Sequence, residues 1–303
     1  MPNYRIAAVV VTYNRRELLS ECINALLGQT AAGCCDIIVV DNNSTDGTRE
    51  SLEGYINNGS IIYLNTGENL GGAGGFNYGM RYAAENGYTH VWVMDDDAIP
   101  YPDALEKFLE FDSEHEGEYG FLSGRVLWSD GSSCITNVQR RTLTRNVRSF
   151  GRKAIRISMA SFVSLFVPVS ILYEHGLPIR EFFIWTDDWE FTRRISREHP
   201  CYLITSSKVI HKTQNNNGSD IAQARPDELW KYRLRYRNDV YLYRREGIRG
   251  AAYEAVRLPA HAARIMRKSS CRRESLKAVI CGTIDGFRFR PQPEYPEKRS
   301  DRH

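Results

Sequence analysis

The sequence lacks the signatures of several protein classes. Its seven cysteines form no C-x-x-C pair, and their odd number predicts neither a disulfide framework nor a zinc knuckle, so a reducing compartment is expected. The longest apolar stretch, residues 159–173, contains three serines and a proline and is shorter than the roughly 20 residues that span a bilayer. The N-terminus has no secretion-signal layout. We therefore expect a soluble or membrane-surface protein.

The chain also has little net charge. A formal charge of +3 over 303 residues is too small to predict nucleic-acid binding, and 42% apolar residues exclude whole-chain disorder. The positive charge is concentrated in residues 244–277, where ten Lys and Arg face three Glu, an excess of seven. This segment fits either an anionic membrane surface or a solvated helix face. No nucleic-acid partner is predicted.

Short apolar runs predict the fold. Residues 6–11, 37–40 and 91–94 are nearly continuous apolar segments, which favours a parallel sheet covered on both faces. Residues 16–27 have helical spacing and join the first two strands, and a further helix is predicted at 103–111. We expect an α/β fold with a mostly parallel central sheet flanked by helices, comprising residues 1–225. Residues 226–303 are predicted to be a helical, basic extension.

Polar residues follow the predicted strands, at the sheet edge where α/β proteins bind ligands. Asp95, Asp96 and Asp97 come directly after the strand at 91–94. Three crowded carboxylates repel one another unless a cation is present, so a divalent metal is the functional interpretation. A solvated acidic loop is the alternative.

Four glycines, at positions 71, 72, 74 and 75, stand ahead of a predicted helix. Backbone amides without side chains can approach a pyrophosphate or a sugar closely. The segment has neither the G-x-G-x-x-G order nor a P-loop ending. A flexible loop is the alternative, and a basic loop is predicted at residues 140–153.

The segment "FFIWTDDWEF" places Asp187 and Asp188 among aromatic residues. Apolar neighbours raise a carboxylate's pKa toward the value that a general base needs, and aromatic faces suit a sugar. Asp187 could instead cap a helix over residues 189–197. His211 follows a short apolar run, where a lone histidine is more often structural, so it gains weight only if the fold brings it to the acidic triplet.

Six ordered motifs resemble glycosyltransferase family 2, most closely its bacterial galactofuranosyltransferase branch. They span about residues 5–240 and read "VVVTYNR", "IVVDNNSTDGT", "ENLGGAGGFNYGM", "VWVMDDDA", "FFIWTDDWEF" and "VIHK". The resemblance implies a GT-A fold, a nucleotide diphosphate sugar donor, in this branch UDP-galactofuranose, and a Mn²⁺ or Mg²⁺ ion.

The resemblance also implies roles for individual residues. Asp95, Asp97 and His211 would be the metal ligands. The donor would be contacted by Thr12, Asp41, Asn69, Gly71, Gly72 and Asp96, with Thr12 and Asp41 at the nucleoside.

The same resemblance implies that Asp188 is the catalytic base of an inverting transfer, with Asp187 and Trp185 orienting the acceptor. One departure is that galactofuranosyltransferases often carry Trp directly before the two Asp, whereas Thr186 stands there. This departure bears on the acceptor contacts more than on the base.

Competing readings concern the donor and the class. Rhamnosyltransferases of the family, using dTDP-rhamnose, resemble the early motifs but tend to have Asp-x-x-Asp before the helix. An inactive sugar-nucleotide or polysaccharide-binding subunit would not need Asp188, and a nucleotidyltransferase should have a glycine-rich signature after the first strand. Enzymes of this branch imply lipid-linked saccharide acceptors, so we expect a cytoplasmic protein, peripheral at the inner face of the cell membrane.

Overall fold

The computed structural model describes residues 4–298, which are built around one nine-stranded sheet. The strands are β1 (Ile6–Thr12), β2 (Cys35–Asp41), β3 (Ile61–Asn65), β4 (His90–Asp95), β5 (Ala98–Pro100), β6 (Leu122–Leu127), β7 (Ala154–Arg156), β8 (Leu165–Pro168) and β9 (Tyr202–His211). Their order is β3-β2-β1-β4-β8-β6-β9-β5, and β7 pairs with the first residues of β9. The predicted α/β class is confirmed.

The sheet is mixed, although six of its strands point in one direction. β1 to β4 pair in parallel, β8 is antiparallel to both β4 and β6, and β6 is parallel to β9. β6 and β9 therefore run with β1 to β4, while β5, β7 and β8 run against them. Thr12, Asp41, Asp95 and His211 end four of the co-directional strands at one edge of the sheet.

Apolar residues fill both faces of the sheet, as the continuous apolar runs predict. Alternate residues of β1 enter different cores: Val9 and Val11 face one layer, and Ala8 and Val10 face the other. This division follows from the two-residue period of a strand. A sheet covered on both faces leaves its edges as the places where polar chemistry can be exposed to solvent.

Helices cover both faces. They are α1 (Arg16–Leu27), α2 (Thr48–Ser51), α3 (Glu53–Asn57), α4 (Gly71–Glu85), α5 (Ala104–His115), α6 (Val169–His175), α7 (Asp187–Ile195), α8 (Leu229–Arg244), α9 (Gly247–Lys268) and α10 (Arg272–Arg288). The predicted helices at 16–27 and 103–111 correspond to α1 and α5, and the loop predicted at 140–153 contains no helix or strand.

The glycine segment differs from the prediction, because its glycines form the first turns of α4 and do not precede the helix. A Cβ at Gly75 would lie 2.5 Å from Val11 Cγ1, and one at Gly79 would overlap Val9 and Val40. The glycines therefore let the helix axis approach β1 and β2 closely. Only Gly72, where a Cβ would meet nothing within 4 Å, leaves its backbone open.

The predicted C-terminal helical extension consists of α8, α9 and α10. α10 lies against α8 at two glycines, where a Cβ at Gly282 would overlap the Arg233 carbonyl and one at Gly286 would lie 2.6 Å from Val240 Cβ. The domain boundary near residue 225 stays a prediction. No helix within residues 4–298 combines the length and apolar composition that a membrane crossing requires.

Candidate active site

Two carboxylates and one imidazole meet at the sheet edge where β4 and β9 end. Asp95 ends β4, Asp97 precedes β5, and His211 ends β9, where it pairs with Ala98 of β5. His211 Nε2 lies 2.9 Å from Asp97 Oδ1 and 4.0 Å from Asp95 Oδ2. Ligand atoms of the three residues all lie within 4.8 Å of one another. The fold thus brings His211 to the acidic triplet.

Asn137 orients the imidazole of His211. Its Oδ1 lies 2.9 Å from His211 Nδ1, and its Nδ2 donates to Ser161 Oγ, which fixes the direction of the amide. With the ring proton on Nδ1, Nε2 and the buried Asp97 Oδ1 face each other with lone pairs, as two ligands of one cation do. Among residues 4–298, a donor reaches Asp97 Oδ1 only when Nε2 is itself protonated. Two oxygens and one imidazole nitrogen suit Mn²⁺, or Mg²⁺ with more water ligands, so these residues fit a divalent cation.

The protonation of these groups shows how tightly their charges interact. Burial raises the pKa of Asp95 to about 6. Burial alone would also raise the pKa of Asp97, but the hydrogen bond with His211 lowers it. Burial would lower the pKa of His211, yet Asp97 raises it to about 10, so a second ring proton can offset the carboxylate charge where no cation is bound.

Asp96 points away from this trio and contacts β1. Thr12 Oγ1 donates to Asp96 Oδ2 at 2.8 Å, and Arg15 Nη1 lies 3.2 Å from Asp96 Oδ1 and 2.9 Å from Asp97 Oδ2. Burial raises the pKa of Asp96 to about 7. Thr12 is buried, whereas the Arg15 side chain is half exposed. Arg15 can therefore pair with Asp96 and Asp97 and also contact an anion that enters from solvent.

The carboxylate of Asp41 is buried at the end of β2. Ser44 donates its backbone N–H to Asp41 Oδ1 at 2.8 Å, and Tyr63 donates its hydroxyl to Oδ2 at 2.5 Å. Each carboxylate oxygen can accept a second hydrogen bond, so both bonds leave acceptor capacity. The bonds fix the carboxylate in place beside β1. Its predicted contact with the nucleoside remains a prediction.

The start of α4 lies against the segment that carries the predicted base. Asn69 Oδ1 accepts the N–H of Gly71, and the N–H of Ala73 donates to the Phe183 carbonyl at 3.2 Å. Gly71 has a φ of 70°, and a Cβ there would overlap that same carbonyl. Gly71 is therefore required for close packing, while Gly72 has the open backbone. The predicted donor contacts of Asn69, Gly71 and Gly72 stay predictions.

Asp187 and Asp188 are the first two residues of α7, and Thr186, not Asp187, is the residue before its first turn. The helix ends at Ile195, two residues before the predicted end. Asp188 Oδ1 accepts the N–H of Trp189 at 2.7 Å. Burial raises the pKa of Asp187 to about 6; burial, and next the charge of Asp187, raise that of Asp188 well above its ordinary value. The charge of Asp95 also adds to the shift at Asp188, which stays the predicted base.

The turn before α7 has an unusual backbone. Phe183, Trp185 and Thr186 have φ values of 66°, 63° and 69°. Left-handed conformation costs a non-glycine residue about 1–2 kcal/mol, so the surroundings must stabilise three such residues in four positions. We call residues 183–186 the base turn.

Residues of α8 stabilise the base turn. Asn238, which is fully buried, donates its Nδ2 hydrogens to the carbonyls of Phe182, Ile184 and Trp185 at 3.0, 3.1 and 2.9 Å. The Thr186 hydroxyl donates to Asp239 Oδ1 at 2.7 Å. Helix α8 therefore holds the base turn in place.

Asp239 is itself held by a cation from α9. Its Oδ2 lies 2.5 Å from Nη1 of Arg257, and Glu254 binds the same guanidinium. Burial would raise the pKa of Asp239, but the charge of Arg257 lowers it. The small Thr186 side chain therefore reaches a buried carboxylate whose charge Arg257 balances.

Trp185, predicted to bind the acceptor, packs on α8. Its ring centroid lies 5.0 Å from that of Tyr232, and the Arg235 guanidinium lies 5.8 Å from its centroid. The half-buried ring is next to the base in sequence but is partly covered by these contacts. Its role with the acceptor stays a prediction.

The structure adds residues that the motifs did not single out, namely Arg15, Tyr63, Asn137, Asn238 and Asp239. Arg15 is the last residue of the first motif, where it received no role, and its charge next to a strand end was the available signal. The others lie in different parts of the chain and meet the site only through the fold.

The sequence is similar to that of known glycosyltransferases. The sequence model of "Glycosyl transferase family 2" matches residues 7–162. Galactofuranosyltransferase GlfT1 of Mycolicibacterium smegmatis is 29% identical over 259 residues, which cover 80% of this chain and 84% of that protein. The minor teichoic acid biosynthesis protein GgaB of Bacillus subtilis is 21% identical and aligns with 75% of this chain but only 25% of its own length.

Solved structures share the fold at low identity. S. aureus TarS 1-349 in complex with UDP-GlcNAc matches with a TM-score of 0.55 and 15% identity, covering 94% of this chain and 73% of that one. GalNAc-T7 with UDP, GalNAc and Mn²⁺ matches with a TM-score of 0.62 and 13% identity, covering 80% of this chain and 48% of that one. At these identities, the likeness concerns the fold alone.

Proposed function

Because the chain belongs to glycosyltransferase family 2, we propose that it transfers galactofuranose from UDP-galactofuranose to a saccharide acceptor, with inversion and with a divalent metal. The 29% identity with galactofuranosyltransferases over most of both chains supports the donor. The name of the B. subtilis relative, a minor teichoic acid biosynthesis protein, supports a place in cell-surface polysaccharide synthesis.

The observation that carries the proposal is the half-buried carboxylate of Asp188 in the first turn of α7. Burial, and next the charge of Asp187, raise its pKa well above the ordinary value. A module that only binds sugar has no use for such a base. Apolar surroundings make the deprotonated carboxylate a stronger base toward an acceptor hydroxyl. Proton removal then lets the hydroxyl oxygen attack the anomeric carbon from the face opposite the leaving diphosphate, which inverts that centre.

Other residues of the site bind and orient the substrates in this proposal. Asp41 accepts from the uracil N–H, and the open backbone at Gly72 lies where a donor can approach. Asp187, at the start of α7, accepts from an acceptor hydroxyl. A Mn²⁺ or Mg²⁺ ion held by Asp95, Asp97 and His211 would neutralise the charge that develops on the departing diphosphate.

The test is UDP or dTDP release from three donors, UDP-galactofuranose, UDP-galactopyranose and dTDP-rhamnose, with Mn²⁺ and with EDTA. A short galactose-containing lipid serves as the acceptor. We expect metal-dependent release with the furanose donor alone. Release only from dTDP-rhamnose would move the protein to the rhamnosyl branch. Tight donor binding without release from any donor would favour the inactive binding subunit.

We further propose that the protein is peripheral at the cytoplasmic face of the cell membrane and contacts it through α10. Ile280, Ile284 and Phe287 are 56, 50 and 64% exposed. At about 100° per residue they share a stripe about 60° wide, opposite the glycines that face α8. Arg273, Lys277 and Arg288 lie within about 80° of this stripe, so cations flank an apolar face as on interfacial helices.

Vesicle flotation tests this localisation. We expect the protein to float with phosphatidylglycerol vesicles at low salt and less with phosphatidylcholine vesicles. Ile280→Ser/Ile284→Ser/Phe287→Ser should abolish flotation, whereas Leu27→Ser, at an exposed apolar residue of α1, should not. Equal flotation of the triple variant and the wild-type protein would contradict the assignment of α10.

A further inference from the structure

A long stretch of the chain has no acidic residue. Residues 131–173 contain seven Lys and Arg and neither Asp nor Glu, although Asp and Glu are nearly as numerous as Lys and Arg over the whole chain, 37 against 40. The cationic residues are concentrated between Arg140 and Arg156. None of the roles described above uses them.

The fold gathers most of these cations around one cavity of about 1030 Å³. Val147 and Ile155 are its buried apolar residues, and Ser149 and Ser158 add polar groups. Five arginines line it: Arg141, Arg145, Arg148, Arg152 and Arg156. We call this feature the arginine cavity.

The charge of the arginine cavity is not balanced by the protein. Among residues 4–298, no carboxylate forms an ion pair with any of its five guanidinium groups; the only ion pair within the loop joins Lys153 to Glu114. Like charges brought together around a concavity repel one another, and the repulsion is relieved when an anion enters. The cavity is therefore an anion-binding site by its electrostatics.

The arginine cavity lies beside the helix that carries the base. Arg140, at the start of its loop, stacks with its guanidinium carbon 3.7 Å from the ring centroid of Trp189, the neighbour of Asp188. At the other end of the loop, the Ser196 hydroxyl donates to the Ser158 carbonyl at 2.7 Å. Both ends of the loop thus contact α7 or the residue that follows it.

We propose that the arginine cavity binds a phosphate or diphosphate group of the acceptor, so that the enzyme uses phosphate-bearing saccharides. The assignment to the acceptor rests on the proposed function, whereas the binding of an anion rests on the cavity alone. Guanidinium groups form paired hydrogen bonds with phosphate oxygens. Five guanidinium groups carry more positive charge than one carboxylate would neutralise, which favours a phosphate or diphosphate. The serine hydroxyls can donate to the remaining oxygens.

The first experiment measures binding of inorganic pyrophosphate by calorimetry in EDTA, where the metal-free carboxylates of the donor site repel an anion. We expect binding that weakens with added salt. Arg145→Gln/Arg148→Gln should weaken it about tenfold or more, because charge-assisted hydrogen bonds are lost. Lys107→Gln/Arg225→Gln removes the same charge outside the cavity and should bind as the wild-type protein does. Unchanged affinity in the cavity variant would overturn the proposal.

The second experiment compares two acceptors that carry the same saccharide, one on geranyl diphosphate and one on a neutral octyl group. The cavity variant should raise KM about tenfold for the diphosphate acceptor and leave kcat and the octyl KM unchanged. Unchanged KM for both would remove the acceptor from the cavity. If the wild-type protein used neither acceptor, the proposed function would fail, whereas the pyrophosphate titration would still decide whether the cavity binds anions.

A third arm distinguishes acceptor phosphate from lipid headgroups. Flotation with phosphatidylglycerol vesicles should be the same for the cavity variant and its matched control, because the proposal assigns the cavity to the acceptor. Loss of flotation in the cavity variant alone, with pyrophosphate affinity retained, would overturn that assignment in favour of the membrane surface.

Discussion

Asn238→Ala is expected to separate catalysis from donor binding. Asn238 has two amide hydrogens for three carbonyls, that of Phe182 just before the base turn and those of Ile184 and Trp185 within it. Its removal loses about two hydrogen bonds, at about 0.5–1.5 kcal/mol each, and leaves buried carbonyls unpaired at about 1–3 kcal/mol each. The destabilisation, about 2–5 kcal/mol, is comparable to the cost of holding three residues at positive φ, about 3–6 kcal/mol. We therefore expect the turn to relax.

Relaxation of the turn moves Asp188, since α7 begins directly after it. A displacement of about 1 Å at a catalytic group costs on the order of 100-fold in rate. We expect kcat to fall by about that factor while the dissociation constant of the donor, measured by calorimetry, stays within about twofold, because the predicted nucleoside contacts Thr12 and Asp41 lie on β1 and β2.

Gln29→Ala is the matched control. Gln29 is also a buried amide, and it bonds the backbone of Ala25, Tyr101 and Leu105 away from the base turn. It should lower the free energy of unfolding by a similar amount and leave kcat unchanged in the folded protein. A folded Asn238→Ala protein with kcat within about threefold of wild type, or an equal loss of kcat in Gln29→Ala, would refute the reasoning.

Three further predictions follow from the site and its surroundings. Asp188→Asn should abolish transfer and leave donor affinity intact; near-normal turnover would remove Asp188 from its role as base. Asn137→Ala should weaken Mn²⁺ binding, followed by electron paramagnetic resonance, about 10- to 100-fold, because His211 loses the partner that orients its ring. Although burial would raise it, hydrogen bonds from His90, Tyr119 and Tyr4 hold the pKa of Asp112 at about 2, so this carboxylate stabilises the fold above pH about 4 and loses that effect as the pH falls toward 2. The free energy of unfolding of Asp112→Asn should therefore fall less steeply over that range.

The elements that were predictable from sequence are those whose pattern is local. β1, α1, β2 and β4 follow from apolar runs and helical spacing, and the triplet after β4 follows from its position at a strand end. His211 was undecided because its place depends on the direction of β9, which is set by pairing with β6. Strand direction at a distant edge has no local signal.

The base turn shows a second limit. Asn238 lies in a helix whose sequence, "LWKYRLRYRNDVYLYR", has no clean apolar face, and a buried amide within it looks like any surface polar residue. Its partners lie more than 50 residues earlier in the chain. The sequence likewise places the glycines of α4 ahead of the helix, because the need for close packing on β1 and β2 appears only when helix and sheet are in contact.

The attachment of the base turn to α8 gives the enzyme an order of completion during synthesis. The acidic triplet and His211 are all made by residue 211, but the residues of α8 and α9 that hold the base turn come later, and α10, which packs on α8, follows them. A nascent polypeptide therefore contains the predicted metal and nucleotide ligands before it contains the residues that hold the predicted base in position. We expect a polypeptide that ends before α8 to bind the sugar nucleotide without transferring the sugar.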